Sequence, residues 1–197
     1  MKAIRIGLWA LVALVAVGVG ALAFQATTRH GAPGLTAVAD IGGPFTLTDQ
    51  RGETVTRDDL LGRPHAVFFG YTFCPDVCPT TLYEMSQHMA AMGDDAPAVV
   101  FVTVDPERDT PEALATYVGY FDERIVALTG SRAAIDETVR AYRAYYKIHP
   151  EDEHGDVLID HTASVYLFGP DGAFEGTIAY GEDPDVARAK LERLVAA

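Results

Sequence analysis

Cysteine is almost missing from this chain: its 197 residues include two, Cys74 and Cys78. No cysteine precedes residue 74, which excludes anchoring through a lipid-modified cysteine near residue 20. Basic residues are also scarce, with 15 Lys and Arg against 28 Asp and Glu and a formal net charge of −13. That balance argues against nucleic acid or an anionic membrane surface as the main partner, since both need basic patches. It fits a solvated surface that meets neutral or basic partners. There is no internal repeat, and no proline lies between residues 151 and 169.

Long uncharged runs occur only at the amino terminus. After Lys2 and Arg5, the segment from Ile6 to Phe24 carries no charge. As a helix it spans roughly 28 Å, close to the hydrocarbon thickness of a bilayer. Ala21-Leu22-Ala23 offers a small-x-small cleavage site, but the length favours an uncleaved single-pass anchor over a signal peptide. Positive charge before the run places the amino terminus in the cytoplasm and the rest of the chain on the far side. Residues 25–39, with Gly31-Ala-Pro-Gly34, read as a flexible tether. The expected organisation is therefore an anchor at 1–24, a linker at 25–39 and one domain at 40–197.

Within that domain, Phe45–Thr48 and Glu53–Thr56 alternate around Asp49-Gln-Arg-Gly52 as a β-hairpin. Thr56–Leu61 suits one helical turn. Apolar runs at 65–69, 98–104 and 125–128 read as buried strands, uniformly apolar as parallel strands tend to be. Helical patterns follow at about 79–93, from Pro111 to about Phe121, and from the capping Ser131 to about Tyr142. Tyr145–Ile148 is short and extended, and His149–Asp156 is a polar loop. Ala163–Phe168 and Ala173–Ala179 form a second hairpin about Gly169-Pro-Asp-Gly172, and Pro184–Leu194 closes the chain as a helix. This order predicts an α/β domain with a mixed sheet flanked by helices.

The two thiols lie in Gly70-Tyr-Thr-Phe-Cys-Pro-Asp-Val-Cys-Pro-Thr-Thr-Leu82, where a buried strand passes into a helix. The positive end of a helix dipole favours thiolate, which is both nucleophile and metal ligand. Residues four apart on a helix bring their Cβ atoms to about 5–6 Å, within reach of one metal ion and near the spacing of a disulfide. A purely stabilising disulfide is a poor reading, because a loop of three residues closes off little entropy. A dithiol at the end of the first central strand is the thioredoxin-like arrangement, and ligand sites in open α/β sheets gather at such strand ends. In that layout the loop Asp160-His161-Thr162 faces the dithiol, with His161 where thioredoxins carry a cis-proline. Two thiolates and an imidazole form a soft donor set suited to copper. Asp160 is placed to sit axially on an oxidised metal, to orient the ring from behind, or simply to hydrogen-bond within the structure.

The Gly70–Leu82 stretch resembles the signature of the Sco/SenC family of copper chaperones. Val104-Asp-Pro-Glu-Arg-Asp-Thr-Pro111, Asp160-His161, Phe45-Thr-Leu-x-Asp-x-x-Gly52, Tyr145-Tyr-Lys147 and the amino-terminal run are similar to that family too. The resemblance covers roughly residues 40–195. It implies a thioredoxin-like domain that binds copper, as Cu(I) and Cu(II), through Cys74, Cys78 and His161. It further implies a role in maturing the dinuclear copper A centre of cytochrome c oxidase. The implied partners are the copper-site domain of oxidase subunit II and other periplasmic copper carriers or thiol reductants. The implied location is the inner membrane, with the domain in the periplasm. A second function class stays open: a thiol–disulfide oxidoreductase, with Cys74 and Cys78 as its redox pair, that reduces the recipient's cysteines, or a redox sensor. A peroxidase of related fold is disfavoured because nothing near Cys74 supplies a peroxide pocket. A closed zinc site of Cys74, Cys78, His161 and Asp160 would be structural and inert. Met85, Met89 and Met92 with His88 form a helical stripe that reads as core packing rather than an accessory copper path. His149 and His154 read as part of a solvated loop.

The anchor reading makes the first prediction. Residues 6–24 remain in the mature protein, which sediments with membranes. Amino-terminal sequencing that finds a soluble mature chain starting near Phe24 would overturn it.

Overall fold

The computed structural model describes residues 41–196, so the expected membrane anchor and tether lie outside the described residues. Among the described residues no helix is long and apolar enough to cross a membrane.

The domain is built on a mixed sheet. Strands β1 (Thr46–Asp49) and β2 (Thr54–Thr56) form the first hairpin, and a 3-10 turn at Arg57–Leu60 follows. Then come β3 (His65–Gly70), α1 (Val77–Met92), β4 (Ala98–Thr103), α2 (Pro111–Val118), β5 (Val126–Thr129) and α3 (Arg132–Ala141). After β6 (Tyr146–Ile148) and β7 (Ile159–His161), the chain closes with β8 (Val165–Phe168), β9 (Phe174–Ile178) and α4 (Pro184–Val195). The seven-stranded sheet runs β2-β1-β5-β4-β3-β8-β9. β3, β4 and β5 are parallel to one another, whereas β1, β8 and β9 join antiparallel.

The two crossovers β3–α1–β4 and β4–α2–β5 step the same way across the sheet, so the right-handed rule puts α1 and α2 on one face. The rings agree. Phe68 and Phe101 lie on that face, 6.1 Å apart, and Tyr117 of α2 packs 5.8 Å from Phe101. Phe69 points to the other face, where its ring meets Tyr142, at the end of α3, and Tyr166 at 5.6 and 6.0 Å. All six residues of β3 are buried. A strand covered on both faces needs apolar residues throughout, which is why His65-Ala-Val-Phe-Phe-Gly70 shows no alternation.

The sequence expectations differ from this at three places. α1 begins at Val77, two residues before Pro79. A proline fits anywhere among the first amides of a helix, which have no partner within it. α2 stops at Val118, because Gly119 follows it and glycine is a poor helix former. Residues 159–161 form a strand, paired antiparallel with β6 in a separate two-stranded sheet.

The first hairpin owes its turn to Asp49, a carboxylate with no exposed surface. It accepts from the Arg51 and Glu53 amides at 2.8 and 2.9 Å and from Arg51 Nε at 2.9 Å. Burial pushes its acidity down, but the Glu53 and Arg51 donors outweigh this and hold its pKa below the usual carboxylate value. Asp49→Ala strands two amides and should cost about 1–3 kcal/mol in urea unfolding. A folded-state pKa below the unfolded one adds stability that is full above about pH 4 and is lost as pH falls further. The difference between wild type and variant should therefore shrink in acid; a constant gap would contradict this account.

Candidate metal centre

The centre forms where β3 ends. A Cβ added to Gly70 would lie 2.5 Å from the Cys78 sulfur and 2.7 Å from the Phe101 ring. Only glycine leaves that space, so the sulfur packs directly on the strand. Beyond Gly70 the chain turns, with the Cys74 amide donating to the Tyr71 carbonyl at 3.2 Å. Asp76 occupies the N-cap of α1 but its side chain caps nothing. The Cys74 sulfur does so instead, accepting the Cys78 amide at 3.4 Å. Sulfur thus takes the place of a capping oxygen at the positive end of the helix.

The two thiols, both free, are driven apart in acidity. Donation from the neighbouring Cys78 thiol does most to lower Cys74; burial opposes it, and His161 with the Cys78 and Asp76 amides adds to it, bringing Cys74 down to about 4. Burial pushes Cys78 far up, and the Cys74 charge beside it pushes further. The site therefore holds one thiolate near the surface and one protonated thiol beneath it.

His161 arrives on β7. Its Nε2 stands 3.7 Å from the Cys74 sulfur and 3.3 Å from that of Cys78. Its Nδ1 lies 3.1 Å from the Thr162 carbonyl. A carbonyl only accepts, so Nδ1 carries a proton, and Nε2 is the ring atom turned to the sulfurs. Phe68 and Tyr71 hold the ring edge-on, at 5.9 and 5.8 Å between centroids. The Tyr71 hydroxyl accepts the Ile159 amide at 3.2 Å, and Arg108 donates to the Val157 carbonyl at 3.1 Å. These contacts tie the β6–β7 unit to the cysteine loop. Arg108 also pairs with Asp105 and lies over the Phe73 ring, 4.7 Å from its centroid.

Among the described residues, Cys74, Cys78 and His161 are the one group of three or more His, Cys, Asp or Glu side chains gathered closely enough to share a metal, with donor atoms within 4.8 Å of one another. Metal–sulfur bonds of ~2.3 Å and a metal–nitrogen bond of ~2.0–2.1 Å about one trigonal or tetrahedral centre put nitrogen and sulfur roughly 3.6–3.8 Å apart. The observed separations already lie near that. A pocket of about 300 Å³ opens over the group, lined by Tyr71, Cys74, Pro75, Leu158 and His161 among others.

The other sequence candidates lie elsewhere. Asp160, on β7, is paired with Lys147 on β6, and its carboxylate turns to His149 Nε2 at 2.7 Å. Of the roles open to Asp160, the structure shows the structural hydrogen bond, to His149, while the Thr162 carbonyl meets the His161 Nδ1; neighbouring side chains on a strand point to opposite sides. Met85 and Met89 are buried in the core and Met92 packs against it. His88 is buried on the same helix, and His154 is exposed beside Glu153. Sequence reasoning missed the roles of Gly70, Tyr71 and Asp109. Asp109 is fully buried and accepts from the Thr72 amide at 3.1 Å and from the Thr72 and Thr103 hydroxyls at 2.5 Å each.

The SCO1/SenC family pattern matches residues 34–196. The chain belongs to the SCO1/SenC family. It is 46% identical over 140 residues to the human protein named Protein SCO1 homolog, mitochondrial, covering 68% of this chain and 46% of that one. It thus spans about half the length of that relative. Protein SenC of Rhodobacter capsulatus is 42% identical over 137 residues, covering 68% of this chain and 61% of its own. Among solved structures, copper-bound ScoI of Bradyrhizobium japonicum superposes with a TM-score of 0.73 at 46% identity, over 78% of this chain and 99% of that one. The SCO1/SenC fold here is thioredoxin-like, as the strand order requires.

The split acidity predicts selective labelling. A brief iodoacetamide pulse near pH ~6 should modify Cys74 at least about tenfold faster than Cys78, since the thiolate is the nucleophile. Equal labelling of both residues, read by mass spectrometry, would contradict the arrangement.

Proposed function

We propose that this protein is a membrane-anchored copper chaperone that assists assembly of the dinuclear copper A centre of cytochrome c oxidase. The observation that carries the proposal is the convergence of the Cys74 and Cys78 sulfurs and His161 Nε2 at near-bonding separations in an open pocket. Family membership and the copper-bound ScoI relative support copper as the ion. So does the donor set, since thiolates select Cu(I) and imidazole suits copper in both states. Residues 1–24 serve as the inner-membrane anchor, 25–39 as the tether, and 40–197 as the copper-binding domain in the periplasm. The recipient is the copper-site domain of oxidase subunit II.

Each ligand has its own task in this reading. Cys74, already a thiolate at the mouth, makes first contact with the arriving ion. Cys78 must give up its proton, so binding releases a proton and strengthens as pH rises. His161, with its free Nε2, matters most for Cu(II), whereas two thiolates suffice for Cu(I). Copper is cargo here and leaves by ligand exchange: recipient donors bond to the ion in turn as its bonds to Cys74, Cys78 and His161 break, each incoming thiol gives its proton to solvent, and the Cys78 sulfur takes one back.

A second reading has its own observation. A low-pKa thiolate lining the pocket above a fully buried, protonated thiol is what a thiol–disulfide reductase needs, one sulfur to attack and one to resolve. His161 separates the two, because thiol exchange uses it only as a contributor, after Cys78, to the low Cys74 pKa, whereas the copper site loses a ligand with it. With both cysteines intact, His161→Ala should weaken Cu(II) binding by at least about 100-fold, more than loss of an outer-shell partner costs. It should weaken Cu(I) far less, and abolish oxidase copper-site assembly in cells. Normal assembly in His161→Ala alongside lost assembly in Cys74→Ser would make the reductase the better account.

A further inference from the structure

Asp109 is a buried carboxylate that the chemistry above does not use. Its two oxygens accept three hydrogen bonds, from the Thr72 amide and from the hydroxyls of Thr72 and Thr103. The Thr103 oxygen also accepts the Asp105 amide at 2.9 Å, so this hydroxyl bridges Asp109 and the turn that follows β4. Three donors on two oxygens match an ionised carboxylate, the form on which the inference below rests. Burial does most to raise the Asp109 pKa above the usual carboxylate value and the Asp105 charge adds to this, while the Thr103 and Thr72 donors pull it back down. All three donors are neutral, and the adjacent Arg108 turns to Asp105. The charge is thus satisfied by hydrogen bonds but not balanced by a cation.

Its location gives the charge a use. Thr72 is two residues before Cys74, and standard chain dimensions keep the carboxylate within about 15 Å of the Cys74 sulfur. Asp76 and Asp160 also lie near the mouth, but both are exposed, and solvent screens exposed charges far more than buried ones.

Resting on the copper reading above, we propose that Asp109 is a positioning residue that holds the cysteine loop and whose buried charge biases the site toward copper(II) over copper(I). Two thiolates, a neutral imidazole and Cu(II) sum to zero charge; the same ligands with Cu(I) sum to −1. A fixed anion nearby penalises the second state and leaves the first almost untouched. At an effective dielectric of about 20, one unit charge within roughly 15 Å changes the ratio of the two affinities by no less than about fivefold.

The experiment uses the full chain in detergent micelles. Cu(I) and Cu(II) affinities are measured by chelator competition, and the midpoint potential by mediated spectroelectrochemistry, the mediator supplying the electron. In D109N the Cu(II)-to-Cu(I) affinity ratio should fall at least about fivefold and the potential should rise. Thr72→Val keeps the charge and loses one hydroxyl donor, so its ratio should stay within about twofold of wild type. An unchanged ratio in D109N, or an equal shift in Thr72→Val, overturns the proposal. Should D109N fail to fold, infrared difference spectra of the two wild-type copper states decide, with labelled aspartate for assignment. Carboxylate bands alone support the proposal; a protonated-carboxyl band from Asp109 appearing on reduction overturns it. A wild-type chain that binds no copper overturns the copper reading itself, a result distinct from all of these.

Discussion

The Cys78 sulfur occupies the space in which any side chain at position 70 would begin. Much of the centre depends on this contact. β3 cannot yield to a larger residue, because it is buried throughout and pinned between β4 and β8. The start of α1 therefore docks directly on the strand end, and the helix amides come to rest around Cys74. Burial then separates the two thiols in acidity without any charged residue being placed between them. A cytosolic-type reactive cysteine is often activated by a neighbouring cation; here the helix amides and a second thiol do that work.

Much of the fold was legible in the residues themselves. The hairpins at 46–56 and 165–178 announce themselves by alternation and by Asp49-Gln-Arg-Gly52 and Gly169-Pro-Asp-Gly172. The parallel strands show as unbroken apolar runs, and Ser131 caps α3 by accepting the Ala134 amide. β7 was not legible as a strand. Ile159-Asp-His161 is too short to show a period, and its partner lies across a loop of ten residues, His149 to Leu158. The cysteine pair and His161 could be named from the sequence because the fold dictates which loop faces the strand end. Asp109 could not, since only tertiary structure brings it to Thr72. Asp160 stands next to a donor residue in sequence, and its tie to His149 also appears only in three dimensions.

The centre is thus assembled from two bodies. Both sulfurs belong to the main sheet and its first helix, while the imidazole belongs to the small β6–β7 sheet. Tyr71 and Arg108 stitch the β7 side to the cysteine loop, through the Ile159 amide and the Val157 carbonyl, and Tyr146 of β6 is tied to Arg132 and Asp136 of α3.

The pairing of those two short strands carries a further consequence. Three pairs fix their register: Tyr146 with His161, Lys147 with Asp160, and Ile148 with Ile159. Side chains alternate along a strand, so a slip of one residue exchanges the faces of everything it carries. Such a slip here would turn His161 away and present a carboxylate to the sulfurs, replacing a soft nitrogen donor with a hard oxygen. The identity of the third donor is therefore encoded as a parity. An insertion or deletion in the 149–158 loop can change which metals the site prefers without altering any residue that touches them.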